Sequence, residues 1–258
     1  MSVDYREKQS TWTTPGGRQA VMHWRANTND WNAITSIMGW GPGGQGPHDE
    51  YTLPRGKSGV MMDLGAHVGS AAVAMALDNP QARIVAVEPV PSNAALVRKS
   101  VQANGLGDRI VVVEAAITDL DEEPVTIWFG RTGTESLEHH AFIGSNSLMY
   151  DEGGGGSPQE VVVPGVSLPS LMELMGCGDV TYIKADAEGA EHRFFDDPTW
   201  TQKVQEICME WDALIAKKGR FAGRTMVRPE YRELFAATHD VEFWGPEGGP
   251  GHLRAVRR

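Results

Sequence analysis

The chain has 258 residues and a formal net charge of −11, and 41% of its residues are hydrophobic. This length predicts one α/β domain with elaborations, and the hydrophobic content is sufficient for a sizeable core. The acidic balance argues against a nucleic-acid-binding surface, because phosphate recognition needs a basic stripe and the basic residues here are scattered.

Cysteine content and hydropathy narrow the class of protein further. The two cysteines, Cys177 and Cys208, form neither a disulfide framework nor a metal-ligand spacing. No apolar stretch of a signal peptide is visible at the start, and the most apolar window, residues 60–77, is interrupted by Asp63 and His67. We therefore expect a cytoplasmic protein with a small-molecule substrate and no membrane or nucleic-acid partner. A homodimer is left open.

The N-terminal region is polar, rich in tryptophan and then rich in glycine. A strand is predicted at residues 18–24 and a helix at residues 31–38. A segment this short and polar cannot hold a core alone. We therefore predict that residues 1–55 form a lid or extra layer on the substrate side of a main domain at residues 56–258, with the glycine-rich loop at 39–46 as a candidate hinge.

From residue 58 onward, strands and helices alternate. Strands are predicted at 59–63, 83–88 and 109–113, and helices at 69–78 and 91–104. Such alternation implies a parallel sheet with right-handed crossovers.

The alternation breaks at about residues 120–166. Predicted strands 124–129 and 160–166 bracket a long polar stretch, which indicates a hairpin-like insertion beside the crevice of the sheet. Later elements are a helix at 168–175, strands at 179–186 and 204–211, a helix near 228–237, and strands at 241–244 and 252–256.

The turn after the first strand of this pattern carries the first motif. The strand runs into Asp63, and Gly65 and Gly69 lead into a helix. Glycine permits positive φ and close backbone approach, and a helix N-terminus presents free N–H groups to a charged ligand. The next strand ends at Glu88, where α/β folds place the acid that accepts the ribose hydroxyls of a cofactor.

The spacing of this turn distinguishes between cofactors. The dinucleotide fingerprint G-x-G-x-x-G is absent, and bulky Leu64, His67 and Val68 stand in and beside the turn. This favours a smaller, zwitterionic group and matches motif I of class I S-adenosylmethionine (SAM) methyltransferases. A nucleotide-dependent oxidoreductase is the disfavoured alternative.

A second group of charged residues stands at the ends of two later strands. Lys184 and Asp186 fall on one side of strand 179–186, and the next strand ends in Glu210 and Asp212. Buried charges are costly unless they are paired. In this fold these strand ends lie beside the cofactor strand, so the residues would face the reacting group. A purely structural lysine–carboxylate pair is the alternative.

Four stretches together resemble a known family. VMMDLGAHVGS, AVEPVPSNAALVRKSVQANGL, VVVEAAITD and YIKADAEGAEHRFF, in this order and spacing, are similar to the FkbM family of SAM-dependent methyltransferases. The resemblance covers roughly residues 55–215. It implies a class I Rossmann-like α/β fold, with a mostly parallel central sheet and helices on both faces. It also implies O-methylation of hydroxyls in sugars, polyketides or other secondary metabolites.

The resemblance further implies which positions contact SAM and its product S-adenosylhomocysteine. These positions are Asp63, Gly65, Ala66, His67, Gly69, Glu88, Pro89, Asn93, Ala116 and Asp186. Asp186 and Glu188 would lie at the methyl-transfer end. One departure is His67, where the family usually has asparagine. Histidine can still donate a hydrogen bond to the amino-acid end of SAM, or it could act as an acid–base group.

Methyl transfer to a hydroxyl requires alignment, deprotonation and exclusion of water. The candidate catalytic residues are Asp186 first, then Lys184 with a pKa lowered by burial, Glu188, Glu210, His140 and His67. No metal ligand is assigned, although a divalent ion held by Asp186, Glu210 and Asp212 is an open alternative. N-methylation and a non-catalytic SAM-binding protein are the alternative functions.

Overall fold

The computed structural model describes residues 6–26, 28–39, 51–129, 142–143, 159–187, 198–211, 224–245 and 251–258. The strands are β1 (Glu7–Thr13), β2 (Gln19–Arg25), β3 (Ser58–Leu64), β4 (Gln81–Val87), β5 (Ile110–Val113), β6 (Ala116–Ile117), β7 (Pro124–Phe129), β8 (Phe142–Ile143), β9 (Gln159–Val166), β10 (Tyr182–Ala185), β11 (Glu206–Trp211), β12 (His239–Trp244) and β13 (Gly251–Arg257). The helices are α1 (Asp30–Met38), α2 (Ser70–Asp78), α3 (Pro91–Ala103), α4 (Leu168–Leu174) and α5 (Arg228–Phe235), with a 3-10 helix at Pro198–Lys203.

The central sheet has seven strands in the order β12-β13-β11-β10-β3-β4-β5. The pairs from β11 to β5 are all parallel, and β13 is antiparallel to both of its neighbours. The predicted mostly parallel sheet is therefore confirmed. Parallel neighbours bring their carboxyl ends to one edge, which is where α/β folds place ligand sites.

Hydrophobic layers cover both faces of this sheet. Met61 packs with α2 and α3, whereas its neighbour Met62 packs with α4 and α5. Successive strand residues point to opposite faces, so the strands are apolar throughout. The expected helices on both faces are confirmed. In the part of the chain that the structure describes, the helices are too short or too polar to cross a membrane.

An antiparallel hairpin, β1–β2, and helix α1 pack against the layer formed by α2 and α3. Trp12, Met22 and Ile34 are buried in the same cluster as those helices. The ring of Trp31 meets the ring of Trp12 edge-on, with centroids 4.6 Å apart. Strand β2 and helix α1 fall where the sequence predicted them. Strand β1 was not predicted, because most of its residues are exposed and show no apolar alternation.

A second, four-stranded sheet has the order β6-β9-β7-β8. Strands β7 and β9 pair antiparallel from Pro124–Pro164 to Phe129–Gln159, which confirms the hairpin-like arrangement predicted for this region. Strand β6 joins β9 in parallel and directly follows the end of β5. This sheet therefore starts beside the carboxyl edge of the central sheet.

Candidate active site

The turn after β3 is shaped by close backbone contacts. Gly65 has a φ of 81°, and a Cβ atom added there would lie 1.8 Å from the carbonyl oxygen of Asp186. Any side chain at this position would push the ends of β3 and β10 apart. Gly69 lies against Val97 of α3, at 3.0 Å for an added Cβ. The close approach that this glycine permits is therefore between two helices.

Asp63 anchors the start of α2 on the sheet. Its carboxylate is fully buried, and it accepts the backbone N–H of Ala72 over 2.9 Å. The other carboxylate oxygen lies 3.5 Å from the Nζ atom of Lys184. Burial raises the pKa of Asp63, and the neighbouring ammonium group opposes that rise. A cavity lies at the carboxyl edge of the central sheet. Neither Asp63 nor Gly69 lines it, so both affect it only through the residues that they hold in place.

Glu88, directly after β4, has a buried carboxylate that already binds three protein donors. Its Oε1 atom accepts the backbone N–H of Val90 (3.0 Å) and the side-chain amide of Asn93 (3.1 Å), and its Oε2 atom accepts the backbone N–H of His67 (2.7 Å). Burial raises the pKa of Glu88. A carboxylate offers about four acceptor positions, so about one remains for a ligand hydroxyl.

His67 is held by its backbone and by its ring. It adopts a φ of 51°, which is unusual for a residue with a side chain. Its Nε2 atom lies 3.2 Å from Oδ1 of Asp30, at the start of α1. Burial alone would raise the pKa of Asp30, but His67 and Arg25 lower it overall. The sequence indicates a cofactor contact or an acid–base role for His67, but no local pattern points to Asp30 as its partner.

Lys184 has an almost fully buried ammonium group that is well partnered. Its Nζ atom donates to the carbonyl oxygen of Gly65 over 2.8 Å and lies 3.4 Å from the carboxylate of Asp186. Burial alone would lower the pKa of Lys184, but the carboxylates of Asp186 and Asp63 raise it overall. The expectation of a lowered pKa is wrong in direction, because both carboxylates converge on the same ammonium. A lysine held protonated in this way does not serve as a base.

Asp186 and Glu210 meet at the hydroxyl of Tyr51. The Tyr51 hydroxyl donates to Oδ2 of Asp186 over 2.9 Å and lies 3.3 Å from Oε2 of Glu210. The hydroxyl of Tyr182 donates in turn to the backbone carbonyl of Tyr51. Burial alone would raise the pKa of Asp186, but Lys184 and Tyr51 lower it overall. Asp186 is therefore an anion at neutral pH.

These groups face one cavity of about 290 Å³ that follows the carboxyl ends of β4, β3, β10 and β11. At the usual strand spacing, the row from β4 to β11 spans roughly 14 Å. The predicted residues that line the cavity are Gly65, Ala66, His67, Glu88, Pro89, Asn93, Ala116, Lys184, Asp186 and Glu210. Helix α1 forms a further wall with Asn29, Asn32, Ala33, Ser36 and Ile37.

Some predicted positions cannot be placed. Glu188, His140 and Asp212 lie outside the described residues, as does most of the glycine-rich loop at 39–46. Among the residues that are described, no group of three or more His, Cys, Asp or Glu side chains could hold a metal ion. Cys208 is a buried residue of β11, and burial raises the pKa of its thiol to about 12.

The cavity fits an elongated, zwitterionic nucleoside such as SAM. It offers a buried carboxylate at Glu88 with one free acceptor position, and apolar atoms of Val90 and Ile117 beside it. The turn at Gly65 to His67 lines the cavity just before α2, whose N-terminus favours a negative charge, while the N–H groups of the turn itself donate to Val87 and Glu88. The residues present therefore suit the ribose, base and amino-acid parts of this cofactor.

Comparison with known proteins identifies the family of the chain. A family model described as the methyltransferase FkbM domain matches residues 63–236. Catechol O-methyltransferase from Sus scrofa is 44% identical over 62 residues, which is 24% of this chain and 33% of that protein. The match thus spans about one third of the length of that curated relative.

Solved structures with a similar course of the chain include two methyltransferase-related proteins. Precorrin-6y C5,15-methyltransferase from Geobacter metallireducens has a TM-score of 0.43 at 11% identity, covering 81% of this chain and 84% of that chain. TrmK from M. capricolum, solved in complex with S-adenosylhomocysteine, has a TM-score of 0.45 at 10% identity, covering 82% of this chain and 67% of that chain. Since the family model spans more than half of the sequence, the chain belongs to the FkbM methyltransferase domain family.

Proposed function

We propose that the protein methylates a hydroxyl oxygen of a small, hydroxyl-rich metabolite. The observation that carries this proposal is the group formed by Asp186, Tyr51 and Glu210 where β10 and β11 end in the cavity. This group presents two carboxylates and one phenol to an acceptor. Such oxygens accept hydrogen bonds from hydroxyls, which is how an enzyme orients a neutral nucleophile.

The chemistry of this group follows from its charges. When bound, SAM supplies an electrophilic methyl group on a sulfonium. Asp186 would accept the hydrogen bond of the acceptor hydroxyl, fix the direction of its lone pairs, and take its proton as the C–O bond forms and the S–CH₃ bond breaks, with S-adenosylhomocysteine as the leaving group. The lowered pKa of Asp186 makes it a weak base, so orientation is the larger part of its contribution. Lys184 stays protonated and holds the carboxylate in place.

The same charges favour oxygen over nitrogen as the acceptor atom. Carboxylates raise the pKa of a neighbouring amine, so an amine placed against Asp186 and Glu210 would be held as an ammonium ion. An ammonium ion has no lone pair to attack a methyl group, whereas a hydroxyl hydrogen-bonded to a carboxylate keeps its lone pairs. The partial match to catechol O-methyltransferase supports the same choice, over the aligned residues only.

Within the proposed site, the cofactor would be held by the turn and the second strand. Glu88 would accept a ribose hydroxyl at its remaining position, Ala116 would border the base, and the turn at Gly65 to His67 would bind the amino-acid end. These side chains and backbone groups all line the cavity.

We also propose that residues 1–55 and the insertion at about 120–166 cover the acceptor. Helix α1 already forms a wall of the cavity, which supports a covering role for the N-terminal region. Hydrogen exchange of the full chain, measured alone, with SAM, and with SAM plus acceptor, should show protection appearing in both stretches. Identical exchange in all three states would contradict this covering role.

The acceptor atom is tested with labelled SAM. Small polyols and phenols are offered in parallel with their amine analogues, and the position of the label is found by mass spectrometry and NMR. We expect the label on oxygen in the hydroxyl series. Transfer to nitrogen alone would establish N-methylation, and SAM binding without transfer to any acceptor would favour a non-catalytic protein.

A further inference from the structure

We infer that Arg25 and Asp30 are positioning residues for SAM, although both lie outside the stretch matched by the family model. Together with three residues predicted to bind the cofactor, they form a closed ring of polar contacts. These three residues are His67, Asn93 and Glu88. The N-terminal segment would then be part of the cofactor site itself. This inference rests on SAM binding and not on the acceptor atom proposed above.

The first half of the ring is a buried, two-pronged ion pair. Asp30 is 0% exposed. Its Oδ2 atom accepts the Nε–H and the backbone N–H of Arg25, over 2.9 and 2.7 Å, and its Oδ1 atom accepts from Nη2 over 2.8 Å. Paired donors of this kind fix the guanidinium plane as well as its charge. Asp30 therefore sets the direction in which Arg25 points.

The second half of the ring reaches the cofactor residues. Nη2 of Arg25 donates to Oδ1 of Asn93 over 2.6 Å, and the amide nitrogen of Asn93 donates to Glu88 over 3.1 Å. The backbone N–H of His67 donates to the other oxygen of Glu88, and the His67 ring lies 3.2 Å from Asp30. The ring of contacts is thereby complete.

The donors and acceptors around Asn93 can be arranged in only one way. A guanidinium has no acceptor, so Asn93 must turn its oxygen to Arg25 and its NH₂ group to Glu88. The Nε2 atom of His67 lies 3.2 Å from Oδ1 of Asp30, within ion-pair distance. Arg25 thus reinforces the one orientation of Asn93 that Glu88 accepts, and Asp30 lies within ion-pair distance of the His67 ring at the cavity wall. Without Arg25, the Oδ1 atom of Asn93 loses its donor, and among the residues that the structure describes Glu88 alone holds the amide.

Attachment of the hairpin alone does not account for these charges. The β1–β2 turn is tied to the far end of α2 by Asp78, which accepts the hydroxyl of Thr14 over 2.5 Å and the N–H of Gly16 over 2.7 Å. Val21 of β2 donates to Asn104 at the end of α3 over 2.9 Å. A buried ion pair is seldom more stabilising than apolar packing of the same volume. The ring is explained by its position, because His67, Glu88 and Asn93 all line the cavity.

The test measures SAM affinity by titration calorimetry on the full chain, with no acceptor present. In Arg25→Met, which retains the aliphatic stem, we expect the dissociation constant for SAM to rise about tenfold or more. Asp30→Asn should show a similar rise. The matched control is Asp78→Asn, which removes a carboxylate that holds the same hairpin away from the cavity and should change the dissociation constant less than about twofold.

A purely structural role is separated by a double-mutant cycle and by a conservative variant. If Arg25 acts through Asn93, the variant with both Arg25→Met and Asn93→Ala should bind SAM about as weakly as Asn93→Ala alone. Arg25→Lys keeps the positive charge but lacks the planar pair of guanidinium donors. Compared with Arg25→Met, it should recover the urea midpoint of unfolding more fully than the SAM affinity. Additive effects on affinity, or wild-type affinity in folded Arg25→Lys and Asp30→Asn, would overturn the inference. If Arg25→Met does not fold, Arg25→Lys and Asp30→Asn decide the question.

Discussion

The hydroxyl of Tyr51 donates to the carboxylate of Asp186 over 2.9 Å, although the two residues are 135 positions apart. Tyr51 precedes the first strand of the central sheet, whereas Asp186 follows a strand in its middle. The phenol has one proton and two carboxylates within reach, so it serves one of them at a time. The end of the cavity that we propose for the acceptor is therefore assembled from the N-terminal region as well as from the strand ends.

This relationship predicts the effect of Tyr51→Phe. The variant keeps the aromatic ring beneath Lys184 but removes the donor to Asp186. A hydrogen bond to a charged group is worth roughly 1.5–3 kcal/mol, so turnover should fall by about 10- to 100-fold. SAM affinity should be nearly unchanged, because the phenol does not belong to the Glu88 region. Tyr231→Phe is the control, since that buried tyrosine lies in α5, away from the cavity. Equal turnover in both variants would remove Tyr51 from the acceptor site.

Glu88→Ala should weaken SAM binding by roughly 1.5–3 kcal/mol, the range for hydrogen bonds to a charged group. Only part of this loss reflects the ligand, because three protein donors also lose their acceptor. Calorimetry measures the affinity and a urea titration measures the stability. Glu114→Ala removes a half-exposed carboxylate just after β5 and should leave SAM affinity unchanged. A folded Glu88→Ala variant with wild-type affinity would exclude the ribose role.

Much of the fold could be predicted because its signals are local. Apolar strand patterns and helix ends lie within a few residues of each other, so β3, α2, β4 and α3 fall within two residues of the predicted limits. The position of Lys184 beside the cofactor strand also follows, since β10 pairs with β3 in register. The order of the strands in the sheet is enough to predict this position, and no knowledge of side-chain contacts is needed.

The rest depends on which polar groups meet across long separations. No local pattern tells that Asp30 faces His67, or that Tyr51 faces Asp186, because each pair joins distant parts of the chain. The direction of the pKa shift of Lys184 could not be predicted for this reason. Burial was apparent from the sequence, but the convergence of two carboxylates was not, and the carboxylates decide the direction. No sequence pattern marks Tyr51 as a site residue, because a single tyrosine after a glycine-rich stretch is common.

Lys184→Met should destabilise the protein by about 3–5 kcal/mol, because it leaves the buried carboxylate of Asp63 without its counter-charge. Lys184 has a raised pKa, so its contribution is fully present below the unfolded pKa of about 10.4 and is lost only as the pH rises through the folded value. Lys184 itself therefore stays charged between about pH 6 and 9, but in the variant the pKa of Asp63 rises further, so the loss of stability should be larger near pH 9 and smaller near pH 6, where Asp63 can take up a proton. Lys99→Met, which breaks an exposed pair with Glu7, should cost about 1 kcal/mol or less. A small loss at Lys184 would contradict an ionised Asp63.

Asp186→Asn tests the acceptor site most directly. Asparagine keeps the shape of the side chain and can still accept from Tyr51, while Asp63 continues to balance the charge of Lys184. Folding and SAM affinity should therefore survive.

If Asp186 orients the acceptor and takes its proton, Asp186→Asn should lose turnover by roughly two to four powers of ten, the usual range for such groups. Asp179→Asn is the control, because this exposed aspartate lies before the same strand, at its opposite end. A structural role predicts the reverse pattern, with a lower melting temperature and near-normal activity per folded molecule. A metal-dependent reaction predicts a third pattern, in which a chelator abolishes wild-type activity and added Mg²⁺ restores it. Turnover within a few-fold of wild type, at an equal melting temperature, would remove Asp186 from the catalytic group and leave Glu210 as the carboxylate to test next.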